Sequence, residues 1–178
     1  MNKRIFYVLI FTNLIARDIY FTRSGKVSFF SSTPIEDIKA DNNQATCVLD
    51  LETGEVSFRI PILGFNFPNS LMQEHFNENY MESDIYPNAS FKGKIKYWSE
   101  IALTEIPQEV IIDGIMRIHG ISKEISEEGT ISLVRENIIG SSQFQIMVAD
   151  YNIEIPKIVR EKIAKIIYVN IELVLKKK

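Results

Sequence analysis

One cysteine, two histidines, one tryptophan, eight glycines and six prolines are spread over 178 residues, and each shortage excludes something. A lone cysteine excludes an internal disulfide in any compartment. So few glycines and prolines exclude a collagenous or low-complexity chain. Two histidines leave few ways to build a metal or catalytic centre. Positive charge is not in excess either. Twenty Lys and Arg against 23 Asp and Glu give a net charge of −3 and a pI near 5.5, without the basic face that nucleic-acid phosphates demand. The chain also lacks a Gly-x-Ser-x-Gly elbow, a phosphate-cradling Gly-x-x-x-x-Gly-Lys and a Cys-x-x-Cys pair.

What is present is apolar and β-prone. Apolar residues make up 46% of the chain and charged residues 24%, so it can bury a core, and a disordered chain is excluded. Isoleucine occurs 29 times, beside 11 Phe and 7 Tyr, which favours strands. At ~150 residues per domain the length predicts a single one.

The start of the chain reads differently from the rest. Asn2-Lys3-Arg4 precedes an apolar run from Ile5 to Ile15, broken only by Thr12 and Asn13, and Ala16 follows. A basic n-region, an apolar h-region and a small residue are the parts of a secretory signal. The run is shorter than the ~20 apolar residues that span a bilayer. Residues 1–16 are therefore expected to be an export signal, residues 17–178 the mature domain, and the location periplasmic or secreted. Without Lys3 and Arg4, 18 basic residues face 23 acidic ones. No cysteine precedes Cys47, so anchoring through a lipidated cysteine after the apolar run is excluded. Cys47 itself, beside Val48 and Leu49, reads most simply as a small buried hydrophobe, with a reactive thiol as the alternative.

From residue 26 onward the dominant period is two, as in strands with one face on a core. Val27 and Phe29 show it, as do Cys47, Leu49 and Leu51, then Val56, Phe58 and Ile60 beyond the turn Glu52-Thr53-Gly54. Phe91, Gly93, Ile95 and Tyr97 alternate with Lys92, Lys94 and Lys96, and Val110, Ile112, Gly114, Met116 and Ile118 with Asp113, Arg117 and His119. Glu127-Glu128-Gly129 reads as a turn between a strand around Ile125 and one holding Ile131 and Leu133. Phe144, Ile146 and Val148 follow, and Ile167, Val169, Ile171, Leu173 and Leu175 close the chain. With a short piece at Asp18–Phe21, eight or nine strands result. Short turns make them an antiparallel meander, which closes into a barrel because open edges invite wrong pairing. Gly93 and Gly114 are expected to leave room where the strands curve. The Lys92, Lys94 and Lys96 row reads as a solvated edge, and Lys176-Lys177-Lys178 as a frayed tail.

One stretch, Asn69 to Met81, loses the alternation. Met72, Phe76 and Tyr80 recur every four residues along one side of a helix that Asn69 would cap. A second helical turn is expected over Pro156–Ala164. Both would pack on an all-β, closed or nearly closed antiparallel barrel.

Candidate chemistry is sparse. His75 with Glu78, three residues on, could supply two metal ligands where three or four are needed, and His119 is remote, so no metal is expected. Asp113 and Asp150 could form an acid/base pair, but alternate polar positions on an outer strand face explain them equally. No catalytic residue is assigned. The remaining candidate is the inner face: Phe58, Ile60, Phe91, Ile95, Ile112, Met116, Phe144, Ile146, Val169, Ile171 and Leu173, with Met72, Phe76 and Tyr80 as a cover. About eight strands is the size at which an interior either fills with side chains or holds one elongated ligand, and both stay open on periodicity alone.

Phe29-Phe30-Ser31-Ser32-Thr33-Pro34, Asp50-Leu51-Glu52-Thr53-Gly54-Glu55, the block Leu71 to Asp84, Tyr86-Pro87-Asn88-Ala89-Ser90-Phe91 and Ile118-His119-Gly120-Ile121-Ser122-Lys123 together resemble the YceI-like family, a lipid- or polyisoprenoid-binding, lipocalin-like group of secreted bacterial proteins. The likeness runs from about residue 20 to 175. Many members carry a histidine-serine pair on the first strands, where this chain has Thr22-Arg23-Ser24-Gly25-Lys26. The resemblance implies an extended antiparallel barrel, export, and an apolar tunnel for a long isoprenoid, quinone-like or fatty chain. The expected function is thus a non-enzymatic carrier with an apolar lipid as its partner and no other cofactor. A structural or stress-related protein with a packed barrel is the alternative, and whether two barrels pair stays open.

Overall fold

In the computed structural model, which describes residues 17–178, nine strands form one antiparallel sheet. They are β1 (Ile19–Ser32), β2 (Asp37–Asp50), β3 (Glu55–Pro61), β4 (Phe65–Asn66), β5 (Asn88–Ile95), β6 (Gln108–Ile118), β7 (Ile121–Val134), β8 (Asn137–Met147) and β9 (Ile166–Lys177). The order is β1-β9-β8-β7-β6-β5-β3-β2, and β1 pairs with β2 to close it. The two-residue β4 lies beside β2, so eight long strands make the expected barrel. The segment assigned to export lies outside the described residues.

Turn chemistry sets the registers. Thr33 Oγ1 accepts from the Ile35 and Glu36 amides at 3.3 and 3.1 Å and folds the β1–β2 connection. Asp50 accepts from Glu52 N–H at 2.9 Å, and Gly54 with φ +73° completes the β2–β3 hairpin. The β6–β7 and β7–β8 hairpins are two-residue turns with both residues at positive φ, namely His119-Gly120 (+49°, +78°) and Arg135-Glu136 (+51°, +79°). Such turns match strand twist but favour Asn-Gly, so Arg135 and Glu136 occupy them under strain.

Several expectations are corrected. Asp18–Phe21 is no separate piece: β1 runs unbroken through it and bends at Gly25, where the β2 register shifts. The first half of β2 carries little apolar alternation because, apart from Ile38, its inward positions Ala40, Asn42 and Ala45 are small or polar. Asn42 is fully buried, and its amide donates to the Pro61 carbonyl at 2.8 Å while its oxygen accepts from Gln44 N–H at 2.7 Å. Glu127-Glu128-Gly129 is not a turn but the middle of β7, paired residue by residue with β6. Val148 and Asp150 lie in a 3-10 turn after β8, not on a strand. β5 has neighbours on both sides, so the lysine row is a solvated outer face and not an edge. Lys176 and Lys177 continue β9, and Lys177 binds Asp18 at 2.6 Å, so no frayed tail begins there.

The expected helix is present and irregular. Asn69 caps it, its Oδ1 accepting from the Leu71 and Met72 amides at 2.9 and 3.2 Å. Helix α1 (Ser70–His75) then widens into a π turn over Phe76–Tyr80. Pro156 precedes only a 3-10 turn, Lys157–Val159, in place of the longer second helical turn. The helix belongs to the end of the barrel that also holds the β1–β2 turn, the β6–β7 turn and the 148–165 connection. At the opposite end, the 96–107 connection brings in Trp98, whose indole N–H donates to the Leu51 carbonyl at 2.7 Å.

Glu136→Gly should relieve the second αL position of the β7–β8 turn. Left-handed backbone costs a non-glycine residue ~1–2 kcal/mol, and glycine returns part of that as unfolded-state entropy. A gain of up to about 1 kcal/mol in urea unfolding is expected. An unchanged or lower midpoint would contradict the strain.

Candidate functional site

The two halves of the barrel interior differ. Toward the Trp98 end the inward residues Cys47, Leu49, Val110, Ile131, Ile138 and Leu175 are buried to 6% exposure or less, and each of them also borders the interior cavity. Toward the helix end the inward residues Ile112, Ile125, Phe144, Ile146, Ile171 and Leu173 are only partly covered, although no solvent lies on the far side of an inward position in a filled barrel. Both sets line one cavity of about 290 Å³. That is near the lower end of the ~300–1,000 Å³ typical of ligand sites.

All eleven inner-face residues named from the sequence border this cavity, and so do Met72, Phe76 and Tyr80. Phe76 packs with Phe29, Phe65 and Phe67, ring centroids 5.0–5.5 Å apart, so the helix is tied down by an aromatic cluster at the mouth. Burial pushes the Tyr80 phenol up.

The glycines behave differently from expectation. Gly93 and Gly114 face each other across β5 and β6, but the Phe91 ring already lies over both, and a Cβ at either would strike it and the opposite backbone. They accommodate an aromatic ring, and leave no free room. The open glycine is Gly140 on β8, also in the cavity wall: a Cβ there meets nothing nearer than Leu173 Cβ at 3.8 Å.

The other candidates form no second site. Cys47 is 1% exposed and burial pushes its thiol up to about 12, so it packs as a small hydrophobe. Asp113 binds Lys96 at 2.9 Å and Asp150 binds Lys123 at 2.9 Å, so each is engaged separately and they do not meet as a pair. His75 is partly buried on the helix. Among the described residues no three His, Cys, Asp or Glu side chains gather as metal ligands. His119 sits in the β6–β7 turn with Nε2 2.7 Å from Glu82 Oε2 and Nδ1 3.1 Å from the Tyr151 carbonyl, so it pins the chain after the helix to the 148–151 turn. Both partners are acceptors, and the full set of bonds needs a proton on each ring nitrogen.

Sequence reasoning missed Glu127, which lines the cavity from β7 and is the one charged residue in its described wall. Its Glu-Glu-Gly context looks like a turn, and only its parity with Ile125 and Ile131 signals an inward position. Burial, aided by neighbouring Glu128, raises its pKa.

An eight-stranded antiparallel barrel with an apolar cavity and a helix at its mouth is a lipocalin-like barrel. The YceI-like domain matches residues 21–175, and the chain belongs to that family. Among solved structures it is similar to a polyisoprenoid binding domain from Saccharophagus degradans implicated in plant cell wall breakdown, with TM-score 0.78 and 15% identity over 92% of this chain and 100% of that one. It is also similar to Burkholderia cenocepacia BcnA, with TM-score 0.70 and 15% identity over 84% and 95% of the two chains. For the Campylobacter jejuni YCEI protein the TM-score is 0.56 and the identity 17%, over 99% and 91%. No curated protein matches the chain.

A raised carboxyl pKa carries a sign that can be checked. Between the unfolded and folded pKa of Glu127 the native state holds more protons than the unfolded one, so stability falls as pH rises through that window and stays reduced above it. Glu127→Gln removes the loss. Its melting temperature should exceed that of the wild type at pH 8, with the difference vanishing near pH 4. An equal difference at both pH values would mean that the carboxylate is not disfavoured by its site.

Proposed function

We propose that this protein is a non-enzymatic periplasmic carrier that holds a long apolar chain, an isoprenoid, quinone-like or fatty one, inside the barrel. The observation that supports this best is the cavity of about 290 Å³, walled by residues such as Ile112, Met116, Phe144 and Ile171 where an ordinary barrel core would be filled. Binding would then need no charged contact. Each CH₂ withdrawn from water contributes about 0.8 kcal/mol, so about ten give a gross ~8 kcal/mol, comparable to micromolar affinity before ordering costs. The similar Saccharophagus degradans domain is a polyisoprenoid binding domain, and a polyisoprenoid has the same elongated apolar shape. Export is supported by the Lys3-Arg4 and Ile5–Ile15 arrangement and by an interior suited to cargo that water does not dissolve.

A packed structural barrel is disfavoured by the same cavity, and the two readings part on one substitution. At Gly140, in the cavity wall, a Cβ makes only ordinary contacts, with Leu173 at 3.8 Å and the Thr130 carbonyl at 3.9 Å, so Gly140→Leu adds a side chain on the cavity side without a clash at its base. It should abolish lipid recovery by native mass spectrometry of protein purified from its own kind of host, while the melting temperature stays equal or rises. Met116→Trp should act likewise. Destabilisation by ~1–3 kcal/mol in both, the sign of an overpacked interior, with no lipid on the wild type, would overturn the carrier reading.

A further inference from the structure

Strands β7 and β8 are paired from Val134–Asn137 to Gly129–Ser142, and there the ladder stops. Each strand goes on: β7 to Ile121 along β6, and β8 to Met147 along β9. Each is held by its outer neighbour while the two part, which leaves a seam in the barrel wall between residues 121–128 and 143–147. At its far end the seam is bridged by Lys123, which binds Asp150 at 2.9 Å and lies 5.9 Å from the centre of the Tyr151 ring. Between that bridge and the last ladder pair, the cavity is lined by Ile125 and Glu127 from β7 and by Phe144 and Ile146 from β8.

Three of those four are apolar and one is a carboxyl. The other polar groups of the wall are mostly engaged already. Ser31 accepts from Ala164 N–H at 3.0 Å, Thr130 and Ser141 bond each other at 2.8 Å, and Ser142 donates to the Glu128 carbonyl at 2.6 Å. Among the described residues no ion pair engages Glu127. The charge that acts on it is Glu128, of the same sign, and Tyr151 in turn feels Glu127. The one basic group on the same face of β7, Lys123, is already taken by Asp150. Gln143 and Gln145 of β8 and Asp113 of β6 belong to the outer face, and Ile112 stands opposite Glu127 on β6. A carboxylate left beside an apolar cavity without a donor is costly unless something supplies one.

We propose that the β7–β8 seam receives the polar end of the bound chain, and that Glu127 selects a head group that donates a hydrogen bond or carries positive charge, an alcohol or an amine, over an anionic one. The apolar tail lies along Phe144, Ile146 and Ile171, and the head reaches the gap in the wall, where water is close. A phosphate or carboxylate head would meet Glu127, with Glu128 of the same sign on the outer face beside it and Lys123 already paired with Asp150. This assignment rests on the carrier reading above and narrows it from any long chain to those with a donor head.

Three probes with one C20 tail test it at pH 8: geranylgeraniol, geranylgeranylamine and geranylgeranyl phosphate, titrated against the full mature protein by calorimetry. The alcohol and the amine should bind the wild type at least tenfold more tightly than the phosphate. Glu127→Gln, which keeps an acceptor but no charge, should weaken the amine at least tenfold and spare the alcohol. Glu127→Lys should bring the phosphate above the amine. The wild-type ranking needs no variant, and the thermal unfolding of both variants shows whether their folds are intact. Equal binding of all three probes by the wild type, or ratios unmoved in Glu127→Gln, would overturn the head-group assignment and leave the carrier standing. No binding of any probe would overturn both.

Discussion

Closure of the barrel rests on one strand paired along both of its edges. β1 binds β2 on one side and β9, the last strand, on the other. To do so it must curve sharply, and the curve lies between Thr22 and Val27, where both ladders lose register. Gly25 stands in the bend with Leu173 Cδ2 2.7 Å and the Ala45 carbonyl 3.2 Å from where a Cβ would be, so a larger residue there would make the Leu173 side chain swing and press on the β2 backbone. Without this double pairing the sheet would keep two open edges and its inner face would have no opposite wall. The cavity exists only because of that enclosure.

Once the sheet is closed, its contents are decided by side-chain volume. At the Trp98 end, Leu49, Ile138 and Leu175 from different strands are buried along the cavity wall, while Trp98 covers the Gly54 turn. Toward the helix the same alternation continues with residues of similar size, and Ile112, Phe144, Ile146 and Ile171 are only partly covered. Gly140 adds no side chain to the wall there, and the Phe91 ring is placed over Gly93 and Gly114. One cavity therefore runs through an interior whose wall is closely covered at the Trp98 end and more open toward the helix, a difference that periodicity alone does not reveal.

The period-two pattern made most strands, the closed architecture and the inner face legible, because parity alone fixes which residues point inward once one face is apolar. The failures have physical causes as well. The first half of β2 buries alanine and asparagine, whose sequence signal is weak, and Asn42 is tolerated only because two backbone groups satisfy it. Arg135 and Glu136 form a tight hairpin with residues that dislike its conformation, so turn chemistry could not reveal it. Glu127, Glu128 and Gly129 have the composition of a turn and the parity of a strand, and pairing with β6 along the whole of β7 decides for the strand. His119 and Glu82 are 37 residues apart and meet only through the fold.

The two ends of the cavity also differ in what holds them shut. At the mouth, the helix is fastened by the stacked rings of Phe29 and Phe76, by the contacts of both with Phe65 and Phe67, and by the His119 bonds to Glu82 and Tyr151. Lifting it would expose several aromatic rings and strand a buried imidazole, each a loss on the order of 1–3 kcal/mol. Along the β7–β8 seam no ladder hydrogen bond has to break, and the local bridge is Lys123 with Asp150, both partly in solvent, where an ion pair contributes at most about 1 kcal/mol. The wall beside Glu127 is therefore held less firmly than the mouth. A carboxyl whose site disfavours its charge lowers stability wherever it ionises, so its position in this less firmly held part of the wall places the cost where little packing depends on it.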